Sequence, residues 1–250
     1  MPNNAKTVLI TRPEHQSANL GAMLSAEGFS PVFYPTIDIQ PIDLSPSALK
    51  KLQRCADYDY LIFVSTNAVI QADNLVKNQW SLTDNTVVAI GPKTAEALKK
   101  VGLKPTLVCD KPFNSERLLN QLPDTLKQTT CLIIKGQAGR TLLAEQLRQR
   151  GMSVESIDVY KRAQPSAQPR LDIEPPTFIT LTSQLALDNL FQMLLPEMAH
   201  IKHQSIFVVF SQRIAQHAKN LGCQQIIISH EASDSGLVSA IRQTSTKNSF

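Results

Sequence analysis

The sequence predicts an α/β protein built from two similar, doubly wound parallel-sheet domains. Three observations carry that prediction. Short strand-like runs, apolar on both faces, alternate with amphipathic helical stretches. The whole alternation then occurs a second time, roughly 120 residues further on, far above the period of a solenoid. Glycines close the helices at Gly28, Gly102, Gly151 and Gly222, where a left-handed C′ residue belongs.

The elements follow in order. "TVLITRPEHQSANLGAMLSAEGFSPVFYP" (Thr7 to Pro35) reads strand, polar turn, helix, glycine, strand. "TCLIIKGQAGRTLLAEQLRQRGMSVESID" (Thr130 to Asp158) repeats it, with Arg12 against Lys135 and Gly28 against Gly151. "DYDYLIFVSTNAVIQADNLV" (Asp57 to Val76) pairs with "PTFITLTSQLALDNLFQML" (Pro176 to Leu195). The third unit, Thr86 to Leu122, pairs with Ile206 to Ile241. Two proline-rich stretches, 35–46 and 160–176, follow the first unit of each copy and read as linkers running side by side.

Bulk properties exclude several classes. With 250 residues, 42% hydrophobic and 18% charged, the chain has an ordinary globular composition. A net charge of +4 tolerates an anionic ligand, but no basic block or aromatic-basic stripe marks a nucleic-acid partner. Lys161-Arg162 reads as a solvated pair. Cys55, Cys109, Cys131 and Cys223 are scattered, which argues against a zinc site or a disulfide framework and for buried thiols. The first residues do not read as a signal peptide, and no apolar run reaches membrane-spanning length, so the expectation is a cytoplasmic protein without a membrane partner.

In open α/β sheets the ligand lies beyond the carboxyl ends of the strands. There the chain places Thr11-Arg12, Ser65-Thr66-Asn67, Gly91-Pro92-Lys93-Thr94 and Asn114-Ser115. The second copy places Lys135-Gly136 with Arg140, then Thr182-Ser183, Ser211-Gln212-Arg213 and Ser233-Asp234. Each small polar residue is first of all a helix cap, worth about 0.5–2 kcal/mol. Together, several helix N-termini facing one cleft, with Arg12, Lys135, Arg140 and Arg213, suit a ligand rich in carboxylates or phosphates.

Other chemistries lack their signatures. G-x-G-x-x-G and G-x-x-x-x-G-K-[ST] are absent, which removes the marks of a nucleotide-dependent transferase. Ser65 has no glycine framing for a nucleophile elbow. His200 and His203 read as exposed helix-end residues and not as metal ligands; His15 falls in the first helix turn. Tyr160 ends the strand Val154 to Tyr160, where a phenol can donate a proton without carrying charge, or can pack at a domain edge.

The ordered set "VLITRP", "FVSTNAV", "AIGPKTAEALKKVGL", "FNSERLL", "KGQAGRTLLAEQLRQRG", "VYKR" and "LTSQLALDNL" resembles the uroporphyrinogen-III synthase family over nearly the whole chain. The resemblance implies two α/β domains joined by a two-stranded connector, with the first βα unit exchanged into the C-terminal half. On that basis residues 1–36 plus 168–250 form one domain, 44–157 the other, and 37–43 and 158–167 the connector. It implies a cofactor- and metal-independent lyase of haem biosynthesis. The substrate is linear hydroxymethylbilane, which carries eight carboxylates and is passed on by the preceding pathway enzyme. It is cyclised with loss of water, and ring D is inverted through a spiro intermediate. Carried over, Tyr160 matches the connector tyrosine that assists the leaving hydroxyl. Thr94 matches the threonine of the G-x-x-T turn, and Ser65, Thr182 and Ser183 match the strand-end hydroxyls. The turn Phe210 to Arg213 departs from the family's second G-x-x-T, and Gln184 stands where glycine is frequent. Joined to the strand-end residues read above, these give the expected substrate-binding set Arg12, Ser65, Thr66, Asn67, Gly91, Thr94, Asn114, Ser115, Lys135, Gly136, Arg140, Thr182, Ser183 and Ser211. A monomer is expected, and the competing reading is a non-catalytic two-domain binder of a small polyanion.

Overall fold

A computed structural model describes residues 5–166, 175–195 and 197–247. The N-terminal residues 1–4, the middle of the proline-rich stretch 160–176, part of the expected connector 158–167 and Pro196 therefore lie outside the described residues. The chain runs β1 (Thr7–Ile10), α1 (Ala18–Ala26), β2 (Ser30–Phe33), β3 (Asp38–Pro41), α2 (Pro46–Gln53), β4 (Tyr60–Phe63) and α3 (Thr66–Val76). It continues through β5 (Thr86–Ala89), α4 (Pro92–Lys100), β6 (Leu107–Val108), α5 (Ser115–Gln121), β7 (Thr130–Gly136), α6 (Leu142–Gln149) and β8 (Ser153–Ala163). The remainder is β9 (Phe178–Leu181), α7 (Gln184–Met193), α8 (Met198–Gln204), β10 (Ile206–Val209), α9 (Gln212–Asn220), β11 (Gln225–Ile228) and α10 (Asp234–Lys247).

Two compact units result, Met1–Asp38 with Ala163–Phe250, and Ile39–Arg162. The first holds a five-stranded sheet in the order β11-β10-β9-β1-β2, with parallel pairings throughout. The second holds β3-β8-β7-β4-β5-β6. Corresponding strands of the two copies occupy corresponding places, and β3 is an addition at one edge of the second sheet. β3 aside, each sheet takes the βαβ pair at one end from one copy and its other three strands from the other copy.

Period-two alternation explains how the second sheet is covered. Leu61, Phe63, Val87, Ala89, Leu132 and Ile134 pack on one face against Leu52 of α2, Ala68, Val69, Ala72 and Val76 of α3 and Leu98 of α4. Their neighbours Ile62, Val88, Cys131 and Ile133 pack on the other face against Leu118 and Leu119 of α5 and Leu143 and Leu147 of α6. A sheet buried on both sides needs strands that are apolar throughout, which is the pattern the sequence shows. In the first unit, Val8, Ile10, Phe178, Ile206 and Val208 pack with Leu20 and Leu24 of α1 and Leu237 and Ile241 of α10. Gly28, Gly102, Gly151 and Gly222 have φ between +79° and +90° and end α1, α4, α6 and α9 as expected. All four cysteines are buried and free.

One surface network carries a pH signature. Tyr58 donates its phenol hydrogen to Glu155 Oε2, and Lys51 Nζ lies 3.0 Å from Glu155 Oε1. The tyrosine's bond and then the lysine's hold the Glu155 carboxyl below the usual carboxylate range. Partial burial, and then the bond to Glu155, push the Tyr58 phenol up. Glu155 therefore stabilises the fold fully above its unfolded pKa, and that part is lost as pH falls through the lowered value. Tyr58 contributes fully below about pH 10, and its part is lost as pH rises through the raised value. Urea midpoints measured across pH are expected to show both limbs. Tyr58→Phe should flatten the alkaline limb and make the acid limb shallower, since Lys51 still holds Glu155.

Candidate active site

The winding of the second sheet reverses between β4 and β7. From β4 the chain proceeds outward through β5 and β6, and from β7 outward through β8. The crevice beyond the carboxyl ends at such a reversal is where α/β sheets place their ligands. β4 leads into Ser65, and β7 ends at Gly136.

Ser65 is the N-cap of α3. Its extended backbone (φ −168°, ψ 161°) directs Oγ to accept from the Ala68 N–H at 3.0 Å. Its Oγ also lies 3.1 Å from the phenol oxygen of Tyr160 on β8. Tyr160 reaches it because of a β-bulge. Lys135 pairs with Asp158, but Gly136 pairs with Tyr160, so β8 carries Val159 as an extra residue there. A bulge breaks the alternation and re-aims a side chain. Val159 and Tyr160, though consecutive, are both buried in the core on the α3 side. The Tyr160 ring then lies directly on Gly136. A Cβ at that position would come within 2.4 Å of the ring's Cζ and 2.9 Å of Cε1. The adjoining turn is tied to β8, since the Gln137 N–H donates to the Tyr160 carbonyl at 2.7 Å.

The other residues singled out in this unit flank that centre. Thr66 opens α3, followed by Asn67, and both are half-buried. Gly91 is the N-cap of α4, packed under Phe113, and Thr94 is buried in the first turn of that helix. Asn114 caps α5 through Oδ1, which accepts from the Arg117 N–H at 2.8 Å, and Ser115 opens that helix. Lys135 Nζ is 2.6 Å from Asp158 Oδ1. Arg140 is exposed and paired with Glu116. Both cations thus already have carboxylate partners.

In the first unit, the reversal between β1 and β9 is tied by hydroxyls: Thr11 Oγ1 donates to the Thr180 carbonyl at 2.8 Å, and Thr180 Oγ1 to the Leu9 carbonyl at 3.1 Å. Thr182 precedes Ser183, and Ser183 caps α7 as Ser65 caps α3, accepting from the Ala186 N–H at 3.1 Å. Ser211 caps α9. Arg12 is buried, ion-paired with Asp234 and stacked 5.1 Å from the Phe210 ring centroid, so its charge is balanced within this unit. With Arg12 aligned to Lys135, Pro13 stands where the second copy has Gly136. His15 lies in a short 3-10 turn (Glu14–Gln16) ahead of α1 and not in the helix itself. His200 and His203 are exposed on α8.

Sequence reasoning misses Arg162, which it places on a solvated face with Lys161. Arg162 is exposed, as that reading has it, but its guanidinium also lies 5.6 Å from the Tyr160 ring centroid, and Nη2 donates to the phenol oxygen at 3.3 Å. The signal is present in "VYKR", because residues two apart on a strand share a face.

The family profile for uroporphyrinogen-III synthase HemD matches residues 18–239. The chain belongs to the uroporphyrinogen-III synthase family. It is 28% identical to the uroporphyrinogen-III synthase of Escherichia coli strain K12, over 94% of this chain and 100% of that one. It is 25% identical to a putative uroporphyrinogen-III synthase of Methanocaldococcus jannaschii, over 88% and 91%. Among solved structures, a mutant uroporphyrinogen III synthase of Thermus thermophilus superposes with a TM-score of 0.62 at 16% identity, covering 98% of this chain and 100% of that one. The Helicobacter pylori 26695 uroporphyrinogen-III synthetase gives 0.61 at 13% identity, covering 96% and 99%. At those identities the two structures speak to the fold, which is the two-sheet α/β architecture of this uroporphyrinogen-III synthase family member. The family places the chain among the hydro-lyases of tetrapyrrole biosynthesis. Among the described residues, no helix is long and apolar enough to cross a membrane.

Proposed function

We propose that the chain closes linear hydroxymethylbilane to uroporphyrinogen III, with loss of water and inversion of ring D, and that the hydroxyl leaves at the β4/β7 reversal. The observation that carries this reading is the Tyr160 phenol, seated on Gly136 and hydrogen-bonded to Ser65 at a switch point. A benzylic-type pyrrole carbinol needs only a proton on its oxygen to depart, because the pyrrole nitrogen supplies the electron pair. A neutral phenol can give that proton. The α-carbon hydrogen lost when the closing ring regains aromaticity restores it, so one water leaves per turnover. No protein nucleophile is required, since the bilane's own pyrrole attacks.

The protein's remaining work is positioning and charge stabilisation. Helix N-termini capped by Ser65, Gly91 and Asn114 offer N–H groups and partial positive charge to substrate carboxylates. Thr66, Asn67, Thr94 and Ser115 add polar groups in the same first turns. In the first unit, Thr182, Ser183 and Ser211 offer the same kind of contact. Lys135, Arg140 and Arg12 bind substrate carboxylates by exchanging their present partners Asp158, Glu116 and Asp234 for them.

The test is product identity. Freshly prepared hydroxymethylbilane with the purified chain should give mainly the type III isomer, at a rate proportional to protein. Type I isomer alone, at the protein-free rate, would overturn the reading.

A further inference from the structure

The phenol oxygen of Tyr160 has one hydrogen to give and two lone pairs to accept with. Arg162 Nη2 donates to it at 3.3 Å. A guanidinium has donors only and stays charged at any working pH, so the direction of this bond is fixed: the phenol hydrogen cannot point toward Arg162. Ser65 Oγ, 3.1 Å away, is the other partner, and it is itself held by the Ala68 N–H. The phenol hydrogen is therefore left to Ser65 or to an oxygen arriving at the strand ends. Through Nη2 the guanidinium also lies beside the atom that becomes negative when the phenol gives up its proton.

We infer that Arg162 is a positioning residue for the synthase reaction: it fixes the direction in which Tyr160 presents its hydrogen and stabilises the phenolate left behind. This rests on the assignment of Tyr160 to the departing hydroxyl. In the step, the phenol O–H bond breaks as the proton joins the carbinol oxygen. The C–O bond breaks with its electron pair leaving on water, and the pyrrole nitrogen pair fills the vacancy at carbon. The phenolate's charge faces Arg162 until the α-hydrogen of the closing ring returns as a proton. Arg162 is exposed, so its loss should leave the fold intact. A lysine would keep the charge but not the planar fork.

A double-mutant cycle tests this, using Arg162→Met, Arg162→Lys, Tyr160→Phe and the Arg162→Met/Tyr160→Phe pair, with hydroxymethylbilane as substrate and type III product quantified. Arg162→Met is expected to lower kcat by about 10- to 100-fold with KM nearly unchanged, somewhat less than the loss of a fully buried oxyanion donor. Arg162→Lys should recover only part of that loss. In the Tyr160→Phe background, Arg162→Met should change kcat by less than about twofold, because its target is gone. A raised KM with unchanged kcat, equal in both backgrounds, would make Arg162 a substrate anchor and overturn the inference. Losses in kcat that multiply would overturn it too. If Tyr160→Phe alone keeps wild-type kcat, the assignment of Tyr160 fails. If Tyr160→Phe loses activity while Arg162→Met does not, only the role of Arg162 fails.

Discussion

Tyr160→Phe is expected to lower the rate of uroporphyrinogen III formation by about 10²- to 10³-fold, while costing no more than about 1 kcal/mol of stability. The two effects separate because the ring and the hydroxyl do different things. Tyr160 belongs to the core and is 1% exposed as a whole residue, so phenylalanine keeps the ring's packing. The hydroxyl gives up two hydrogen bonds, one shared with Ser65 and one accepted from Arg162. Neither partner is stranded: Ser65 Oγ still accepts from the Ala68 N–H, and Arg162 turns to water. Chemistry has no such substitute, since a phenyl edge cannot protonate a departing oxygen. Steady-state assay with a parallel urea melt reads both quantities.

Gly136→Ala is expected to be the more damaging change to the fold. A methyl at that position would fall 2.4, 2.7 and 2.9 Å from three atoms of the Tyr160 ring, closer than real contacts allow. The ring lies on Gly136 of β7 within the core it shares with α3, so relief requires displacing it or prising the elements apart. Overpacking of this kind costs about 1–3 kcal/mol. A phenol displaced by even about 1 Å also loses its approach to Ser65, and turnover should fall by about 10²-fold. The cause is steric crowding and not backbone strain, because Gly136 does not adopt a left-handed φ. The stability penalty should therefore vanish in a Tyr160→Ala background, where the methyl has room. Urea midpoints of the single and double variants give that coupling.

Much of this architecture is legible in the chain. The repeated βα units reappear as two sheets with the same strand order, because doubly buried strands and amphipathic helices leave little other solution. The glycines at 28, 102, 151 and 222 mark helix ends because their C′ positions have φ near +80° to +90°. The strand-end hydroxyls are legible as caps, and Ser65, Ser183 and Ser211 each accept the bond that role requires.

What periodicity does not carry is the exchange of the outer βαβ pairs between copies, since either partner sheet satisfies the same pattern. Only the family resemblance points to it. The bulge at Val159 is also invisible to a period-two reading, which would point Val159 and Tyr160 to opposite faces. Nor does the order of cations along the chain say which charges are free. Arg12 is balanced by Asp234, Lys135 by Asp158 and Arg140 by Glu116, all through tertiary contacts. Arg162 is masked by its neighbour Lys161, which makes the two look like a solvated pair, although strand spacing places it with Tyr160.

The most direct test of the account is a single-turnover experiment on Tyr160→Phe, with protein in excess over hydroxymethylbilane. It follows both the disappearance of substrate and the isomer formed on the protein. Substrate consumption is expected to slow by about 10²-fold or more while the product released from the protein remains type III, because departure of the hydroxyl is the step that lost its proton donor. Consumption at the wild-type rate, with the product shifted to type I, would contradict it and move Tyr160 from hydroxyl departure to the inversion of ring D.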